Sequence, residues 1–359
     1  MSDLYTLIMA GGGGTRFWPR SKTAKPKQYL NIQGDDSLLQ ATINRFATFT
    51  ETDNIYIVSS RSQAEVLEEQ TPMLPGKNLI YEPVGKNTLP CIGLAAMFAE
   101  KENPDGIMVV APSDHLIENN ALFKETVLAA AKIADEKDGI VTIGITPTYP
   151  ATGYGYVQTE KDITGTEKIK QFKVKRFVEK PDETTAAGYL KDGGFYWNSG
   201  LFIFKISVFL NSVKEFAPEL YSDLRKIQAT LGTPSFDQTL DTIYRAVKSI
   251  SVDYGIMEHA KNIYLVEGNF GWNDLGGWKS VYEISEKDEN GNAADGDSVF
   301  LDSKNSYIYS ENGLVALIGL DDVIVVQDGN TTLVCKRENA EDVKKIVEQL
   351  KNENKNQYL

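Results

Sequence analysis

The sequence predicts an α/β fold: a mostly parallel sheet with helices on both faces, then a small β-rich domain and a closing helix. Three observations predict it. Over the first 145 residues, short apolar runs of strand length alternate with stretches of helical spacing, the pattern of a Rossmann-like sheet. The first apolar run opens straight into four consecutive glycines, "LIMAGGGG" at 7–14. Beyond about residue 290, short β-rich runs follow one another at turn-like spacing. With 359 residues the chain has room for one large domain and a smaller one. The expected division is a main domain at 1–289 and a β-rich domain with closing helix at 290–359.

The elements follow in order. "LYTLIMA" (4–10) is a buried strand ended by glycine, and "SLLQATINRFATF" (37–49) has helical spacing with Asp36 or Ser37 as cap. "NIYIVSS" (54–60) and "NLIYEP" (78–83) are strands, with a polar helix near 62–70 between them. Thr88 is placed to cap a helix to about Lys101, with Pro90 tolerated in its first turn. "GIMVVAPSDH" (106–115) is a strand ending in a polar turn, followed by a helix over 120–137 and the strand "GIVTIGI" (139–145). Strand-like "KVKRFVEKP" and "FYWNSGLFIF" flank a helical segment, and helical patterns fill about 207–231. "DYGIMEHA" (253–260) reads as a helix start and "NIYLVEG" as a strand. In the tail, "DVIVVQDGNTTLVCK" carries "DGN", a hairpin signal, and a charged helix is expected at 338–352.

The net charge of -13 argues against broad polyanion binding, such as to nucleic acid. A small anionic ligand stays compatible where a local basic loop overrides the global field. Two cysteines, Cys91 and Cys335, form no CxxC and no disulfide framework, which suits a reducing cytoplasm. Cys91 sits in an apolar helical pattern and reads as core. No run reaches the roughly 18 apolar residues of a membrane span. The opening "MSDLYTLIMA" lacks a basic signal-peptide region.

Four glycines after a strand leave backbone N–H groups free to converge on one anion. The loop is not a Walker motif, because no GK[ST] follows at the required distance. It is not the dinucleotide fingerprint either, since the third glycine of GxGxxG would fall at Arg16. Gly11, Gly12, Gly13 and Gly14 therefore read as a distinct phosphate cradle. Arg16 and Lys27 would supply charge to a triphosphate, with Lys22 and Lys25 as further candidates.

"GGGGTRFWPRSKTAKPKQYL" resembles the signature of the sugar-1-phosphate nucleotidyltransferases, and specifically the bacterial mannose-1-phosphate guanylyltransferases, whose pattern is GGxGxRLWPLSR…PKQ. "EPVGKNTLP", "APSDH", "TGYGYV", "RFVEKP", "WNSGLFIF", "VDYGIMEH" and "FGWNDLGGW" extend the resemblance across nearly the whole chain. Departures are modest. Phe17 and Arg20 replace leucines, Asn273 and Gly277 replace serines, and Lys86 replaces an arginine, which loses a bidentate fork. The resemblance implies the nucleotide-diphospho-sugar transferase fold with a partial left-handed β-helix in the tail. It also implies transfer of GMP from GTP to mannose 1-phosphate, giving GDP-mannose and pyrophosphate. The tail's apolar strands would leave exposed edges unless they pack on the main domain or a second subunit, and a homodimer is expected.

Asp114 ends the strand at "APSDH" and Asp274 lies in "GWNDLGG". On sequence alone each reads first as a turn or helix cap, and the resemblance reverses this. The resemblance implies that a divalent cation, expected to be Mg²⁺, lies between them. Glu82 is held extended by Pro83. Its carboxylate would accept the paired N1 and N2 donors of guanine, helped by Asn87 and Thr88. Thr15, Pro112 and Ser113 complete the nucleotide set. In "FVEKP", Lys180 would meet the sugar phosphate and Glu179 sugar hydroxyls; Asn198, Gly200, Tyr154, Gly155 and Asp253 join them, although Asp253 also suits an N-cap. The resemblance implies that these line the mannose 1-phosphate pocket. Trp197, Trp272 and Trp278 read as packing residues. With only His115 and His259 there is no HxH nucleotidyl carrier and no HExxH; His115 is expected to support the turn beside Asp114.

A dianionic sugar phosphate needs no general base. Repulsion between two anions is the obstacle, so charge neutralisation and in-line alignment are the expected means. Other bases or sugars, such as glucose 1-phosphate, and a non-catalytic nucleotide-sugar sensor are the alternatives. The sensor would have lost Arg16, Lys27 or a metal aspartate. Isomerase activity from an appended cupin-type barrel is not expected.

Overall fold

A computed structural model describes residues 3–160, 164–166 and 168–359. The chain divides into two compact units. One comprises the described residues up to Gly11 with Thr42–Ser113 and Ile117–Trp272; the other comprises Gly12–Ala41, Asp114–Leu116 and Asn273–Leu359.

The first unit is built on a large sheet. Its main strands are β1 (Leu4–Ala10), β2 (Ile55–Ser60), β3 (Leu79–Glu82), β4 (Ile107–Pro112), β5 (Ile140–Ile145), β6 (Tyr156–Thr159), β7 (Lys170–Val178), β8 (Phe195–Lys205) and β9 (Ile263–Gly268), and the two-residue strand Thr164–Gly165 pairs with the start of β7. They lie in the order β3-β2-β1-β4-β8-β5-β9-β7-β6. β3, β2, β1 and β4 are mutually parallel. β8 runs antiparallel to both β4 and β5, and β9 returns parallel to β5. The parallel half is the half predicted; the insertion of β8 makes the whole sheet mixed. An apolar run such as "LFIF" satisfies a buried strand in either direction, so local sequence is silent on this.

Successive side chains of a strand point to opposite faces, and both faces are buried. Leu7, Val58, Val110, Phe202 and Phe204 share a core with α3 (Thr88–Glu102), α6 (Ile206–Phe216) and α7 (Pro218–Gln228). The intervening Ile8, Ile57, Val109 and Ile203 are equally buried. On the β4, β5, β8 and β9 side packs α4 (Asn120–Lys137), where Phe123 meets Phe46 and Phe270 edge-on at 5.5 and 5.2 Å. Cys91 is buried in α3, as its apolar setting predicted. The cap of α3 is Asn87, whose side chain accepts from Thr88 N at 2.8 Å; Thr88 instead accepts from Val252 N at 2.8 Å. Ala217 and Pro218 break the 207–231 helical stretch into α6 and α7. The helix α8 (Phe236–Ala246) carries no counterpart in the sequence reading.

The second unit joins the basic loop to the tail. Ser37, not Asp36, heads α1 (Leu38–Phe46): its hydroxyl accepts from Gln40 N and Gln40 returns a bond to Ser37 N, at 3.1 and 3.0 Å, a reciprocal capping box. In the tail, β10 (Ala293–Asp295), β12 (Tyr307–Ser310) and β14 (Val323–Asp328) stack in parallel. So do β11 (Ser298–Leu301) and β13 (Val315–Ile318). Two parallel ribbons from consecutive turns of chain are the cross-section of a β-helix. β14 turns through Gly329 and Asn330 into antiparallel β15 (Thr331–Lys336), the hairpin that "DGN" predicted. Phe17, Trp18, Leu30 and Ile32 share one core with Trp278, Tyr307, Tyr309, Ile324 and the closing helix α10 (Val343–Asn352).

Candidate active site

Gly14 is the glycine that shapes the basic loop. Its φ is +55°, and an added Cβ would lie 2.5 Å from Lys27 N. The left-handed φ disfavours a side chain, and the contact with the Lys27 backbone excludes one without movement of the chain. Gly14 O in turn accepts from Ser21 Oγ at 2.6 Å and Phe17 N at 2.9 Å. Gly12 and Gly13 have nothing within 4 Å of a built Cβ, and Gly11's would lie 3.7 Å from Glu82 Oε2. The four glycines thus do different things: Gly14 packs on Lys27, whereas Gly12 and Gly13 keep a face of the loop bare.

Lys27 is buried, at 7% exposure. Its Nζ donates to Asp114 Oδ2 at 2.9 Å and to the main-chain carbonyl of Asp274 at 2.6 Å. Partial burial, the largest influence on Asp114, opposes ionisation. The charges of Lys27 and His115 and the hydrogen bond from Lys27 outweigh it and hold the carboxyl below the usual range. Thr15, Arg16, Lys27, Asp114, His115 and Asp274 line one cleft of about 300 Å³ with Gly14. Arg16 pairs with Glu341 at 3.3 Å. Lys22 is paired with Asp328 at 3.0 Å, so its charge is partly neutralised. Trp278 is fully buried and donates to Trp18 O at 3.0 Å, a packing role as predicted.

The first unit carries two further groups. Glu82 is only 5% exposed, which removes any reading of it as a solvated surface carboxylate. Tyr244 donates its hydroxyl to Glu82 Oε1. Burial pushes the Glu82 carboxyl up to about 7, against the pull of the Tyr244 hydrogen bond. Ser113 is buried and its N–H donates to Met9 O at 3.1 Å; Pro112 closes β4. Lys86 donates to Arg245 O at 2.6 Å.

In the second group, β8 is irregular between Asn198 and Phe202, with Gly200 at φ +74°. The irregularity begins just after Asn198, which is still paired with Gly144 in the ladder. Asn198 Oδ1 accepts from Thr142 at 3.0 Å and Gly200 N at 3.3 Å, and Nδ2 donates to Asp253 at 2.9 Å. All three bonds orient the amide in one sense. Asp253 opens a π-turn, Asp253–Met257. Burial first, then the charge of Glu179, pushes its carboxyl up to about 6. Glu179 pairs with Lys180 at 2.9 Å, and Lys180 takes a left-handed φ of +43°. A Cβ on Gly155 would lie 2.5 Å from Glu179 Oε2, so any side chain there would push the Glu179 carboxylate aside. Tyr154 stands edge-on to Trp197 and Trp272 at 5.1 and 5.4 Å. The predicted sugar-phosphate residues Tyr154, Gly155, Glu179, Lys180, Asn198, Gly200 and Asp253 thus form one connected set.

Tyr244, Thr142 and Glu341 were absent from the sequence reading. No local motif marks them: each reaches its partner across 56 or more positions of chain.

The nucleotidyl transferase family model matches residues 5–291. A second, described as a mannose-phosphate isomerase/GMP-like β-helix domain, matches 296–350. The mannose-1-phosphate guanylyltransferase of Escherichia coli K12 is 36% identical over 362 residues, covering 99% of this chain and 75% of that protein. That of Salmonella montevideo is 38% identical over 357 residues, covering 98% and 75%. The chain therefore spans three quarters of these relatives' length. A crystal structure from Thermus thermophilus, described as a mannose-1-phosphate geranyltransferase, superposes with a TM-score of 0.88 at 30% identity, covering 97% of this chain and 99% of that one.

Proposed function

Since this chain belongs to the nucleotidyl transferase family, and within it to the mannose-1-phosphate guanylyltransferases, we propose that it transfers GMP from GTP to mannose 1-phosphate, giving GDP-mannose and pyrophosphate. The observation that carries the reading is the cleft uniting Gly14, Arg16, Lys27, Asp114 and Asp274. Its polar inventory is backbone amide, cation and carboxylate, with the His115 imidazole beside Asp114.

A phosphate oxygen of mannose 1-phosphate attacks the α-phosphorus of GTP in line. A new P–O bond forms, the α–β bridging bond breaks, and pyrophosphate leaves with the bonding pair. The glycine-loop amides, Thr15, Arg16 and Lys27 take up the charge of the leaving group. Asp114 and Asp274 fit a divalent cation, because both residues line one cleft and the Asp114 carboxyl is held in its ionised form by Lys27 and His115. Two carboxylates leave the rest of an octahedral shell to phosphate oxygens and water, as Mg²⁺ prefers. Bound there, the ion would supply positive charge to the phosphate oxygens.

Glu82 is the proposed reader of guanine. Each carboxylate oxygen has two acceptor sites, so the Tyr244 bond leaves capacity for N1–H and N2–H. Asn87, Thr88, Pro112 and Ser113 are assigned to the same nucleotide. Asn198, Asp253 and Glu179 would accept or donate to sugar hydroxyls, with Lys180 on the phosphate. The catalytic domain is read as 1–289 and the tail as 290–359. Among the described residues no helix is long and apolar enough to cross a membrane, and a cytoplasmic homodimer is proposed. Exposed Val299, Leu301, Ile318 and Val334 on the tail support the second copy.

Pyrophosphate release across a panel of nucleoside triphosphates and sugar 1-phosphates, with and without Mg²⁺, tests the reading. GTP with mannose 1-phosphate should dominate and chelation should stop turnover. A preference for another triphosphate would remove Glu82 from base choice.

A further inference from the structure

Building on the assignment of Arg16 to the polyphosphate, we propose that Glu341 is a positioning residue that presents the Arg16 guanidinium to it. Arg16 Nε and Glu341 Oε2 lie 3.3 Å apart, with the two side chains 46% and 56% exposed. Both side chains rise from anchored backbone. Arg16 belongs to the short turn Thr15–Phe17. Its neighbour Phe17 is buried against Trp278 at 5.2 Å, and Trp18 Nε1 donates to Tyr358 O at 2.8 Å. Glu341 belongs to the turn Arg337–Asp342 ahead of α10, with Ala340 and Val343 buried in that same core. Gly277 lies beneath the pair: a Cβ there would stand 3.7 Å from Arg16 Cβ and 4.0 Å from Glu341 Oε1.

The chemistry of the guanidinium gives this pairing its consequence. Nε is the inner nitrogen, and the outer Nη1–Nη2 edge is the planar fork that matches two phosphate oxygens. A carboxylate held at Nε restrains the side chain without needing the fork. Arg16 is long and half-exposed, so unrestrained it would lose much rotamer freedom on meeting a ligand. Glu341 comes from the tail, and the tail thereby contributes to a charge-stabilising group in the basic loop.

Exposed ion pairs are weak, so the expected effect is about two- to fivefold. Glu341→Ala should lower kcat/KM for GTP by that factor, leave KM for mannose 1-phosphate unchanged and leave the melting temperature unchanged. Glu341→Gln, whose amide oxygen still accepts from Nε, should recover most of the loss. In an Arg16→Ala background, Glu341→Ala should do nothing further. Titration of inorganic pyrophosphate with Mg²⁺ into the same variants should show the same order without turnover. Three results would overturn the proposal: a wild-type rate in Glu341→Ala, an equal loss in the Arg16→Ala background, or tighter pyrophosphate binding in Glu341→Ala, which would make Glu341 a competitor. Failure of the wild-type protein to form GDP-mannose would instead refute the assigned reaction. The pyrophosphate titrations would still decide the role of the pair.

Discussion

Lys27 and Asp114 form a buried-to-surface ion pair 2.9 Å long, with the lysine side chain 9% exposed and the aspartate 34%. The same ammonium is held by the Asp274 carbonyl at 2.6 Å, so one lysine ties together the strand-end turns that carry both candidate metal carboxylates. Lys27→Ala is expected to lower kcat by about 10²–10³-fold, the scale of a lost preorganised charge. Lys27→Arg should recover little, because a planar fork does not fit a site built around one compact ammonium. Asp114→Asn should destabilise the fold by about 1–3 kcal/mol, less than a fully buried pair because Asp114 keeps some solvent. Steady-state pyrophosphate release and chemical denaturation check the three variants. Normal turnover in Lys27→Ala would remove the lysine from the mechanism.

Glu82 makes nucleotide binding depend on pH. Its carboxyl is raised to about 7 from an ordinary 4.5. In the ligand-free protein its stabilising contribution is therefore complete below 4.5 and lost as pH rises through 7. Guanine, donating from N1 and N2, binds the ionised form. Affinity for GDP-mannose should then rise about tenfold from pH 6 to pH 8, following the ionised fraction. Glu82→Gln should bind weakly and flatten both profiles. Calorimetric titration against pH checks this; a profile unchanged in Glu82→Gln would assign the titration to another group.

The residues show where local sequence is informative and where it stops. β1, β2 and β4 are legible because uninterrupted apolar runs bounded by glycine or polar turns have few other uses. Asn198, Glu179 and Asp253 were legible as motif residues. Yet Thr142, which fixes the Asn198 amide, sits in an ordinary apolar strand. The direction of β8 was not legible, because burial on both faces constrains apolarity and not polarity of the chain. Four adjacent glycines look alike in sequence, and only the 2.5 Å approach to Lys27 sets Gly14 apart. Packing of residues 12–41 with the tail core is non-local, so no window of sequence contains it.

Gly14 and Gly12 should separate folding from phosphate binding. Gly14→Ala meets both a left-handed φ and the Lys27 backbone, and is expected to cost about 1–3 kcal/mol of stability with loss of turnover. Gly12→Ala meets nothing within 4 Å and should melt like the wild type. Its methyl group would nonetheless stand on the bare face proposed for phosphate, so KM for GTP should rise while stability holds. Paired melts and GTP saturation curves distinguish the two. A Gly12→Ala enzyme with unaltered GTP kinetics would move the triphosphate away from this face.

Asn198 should be more sensitive to charge than to deletion. Its Nδ2 sits 2.9 Å from Asp253, whose carboxyl is already raised to about 6 by burial and by Glu179. Asn198→Ala removes one donor and should raise KM for mannose 1-phosphate about tenfold, as for a lost bond to a charged partner. Asn198→Asp places a third acid beside two others, so the group must take up a proton or repel its neighbours. Its defect should therefore exceed that of Asn198→Ala at pH 8 and shrink toward pH 5.5, where the added proton relieves the repulsion. KM for mannose 1-phosphate measured at both pH values, with GTP saturating, is the check. Equal defects at both pH values would show that Asp253 and Asn198 are not coupled through charge.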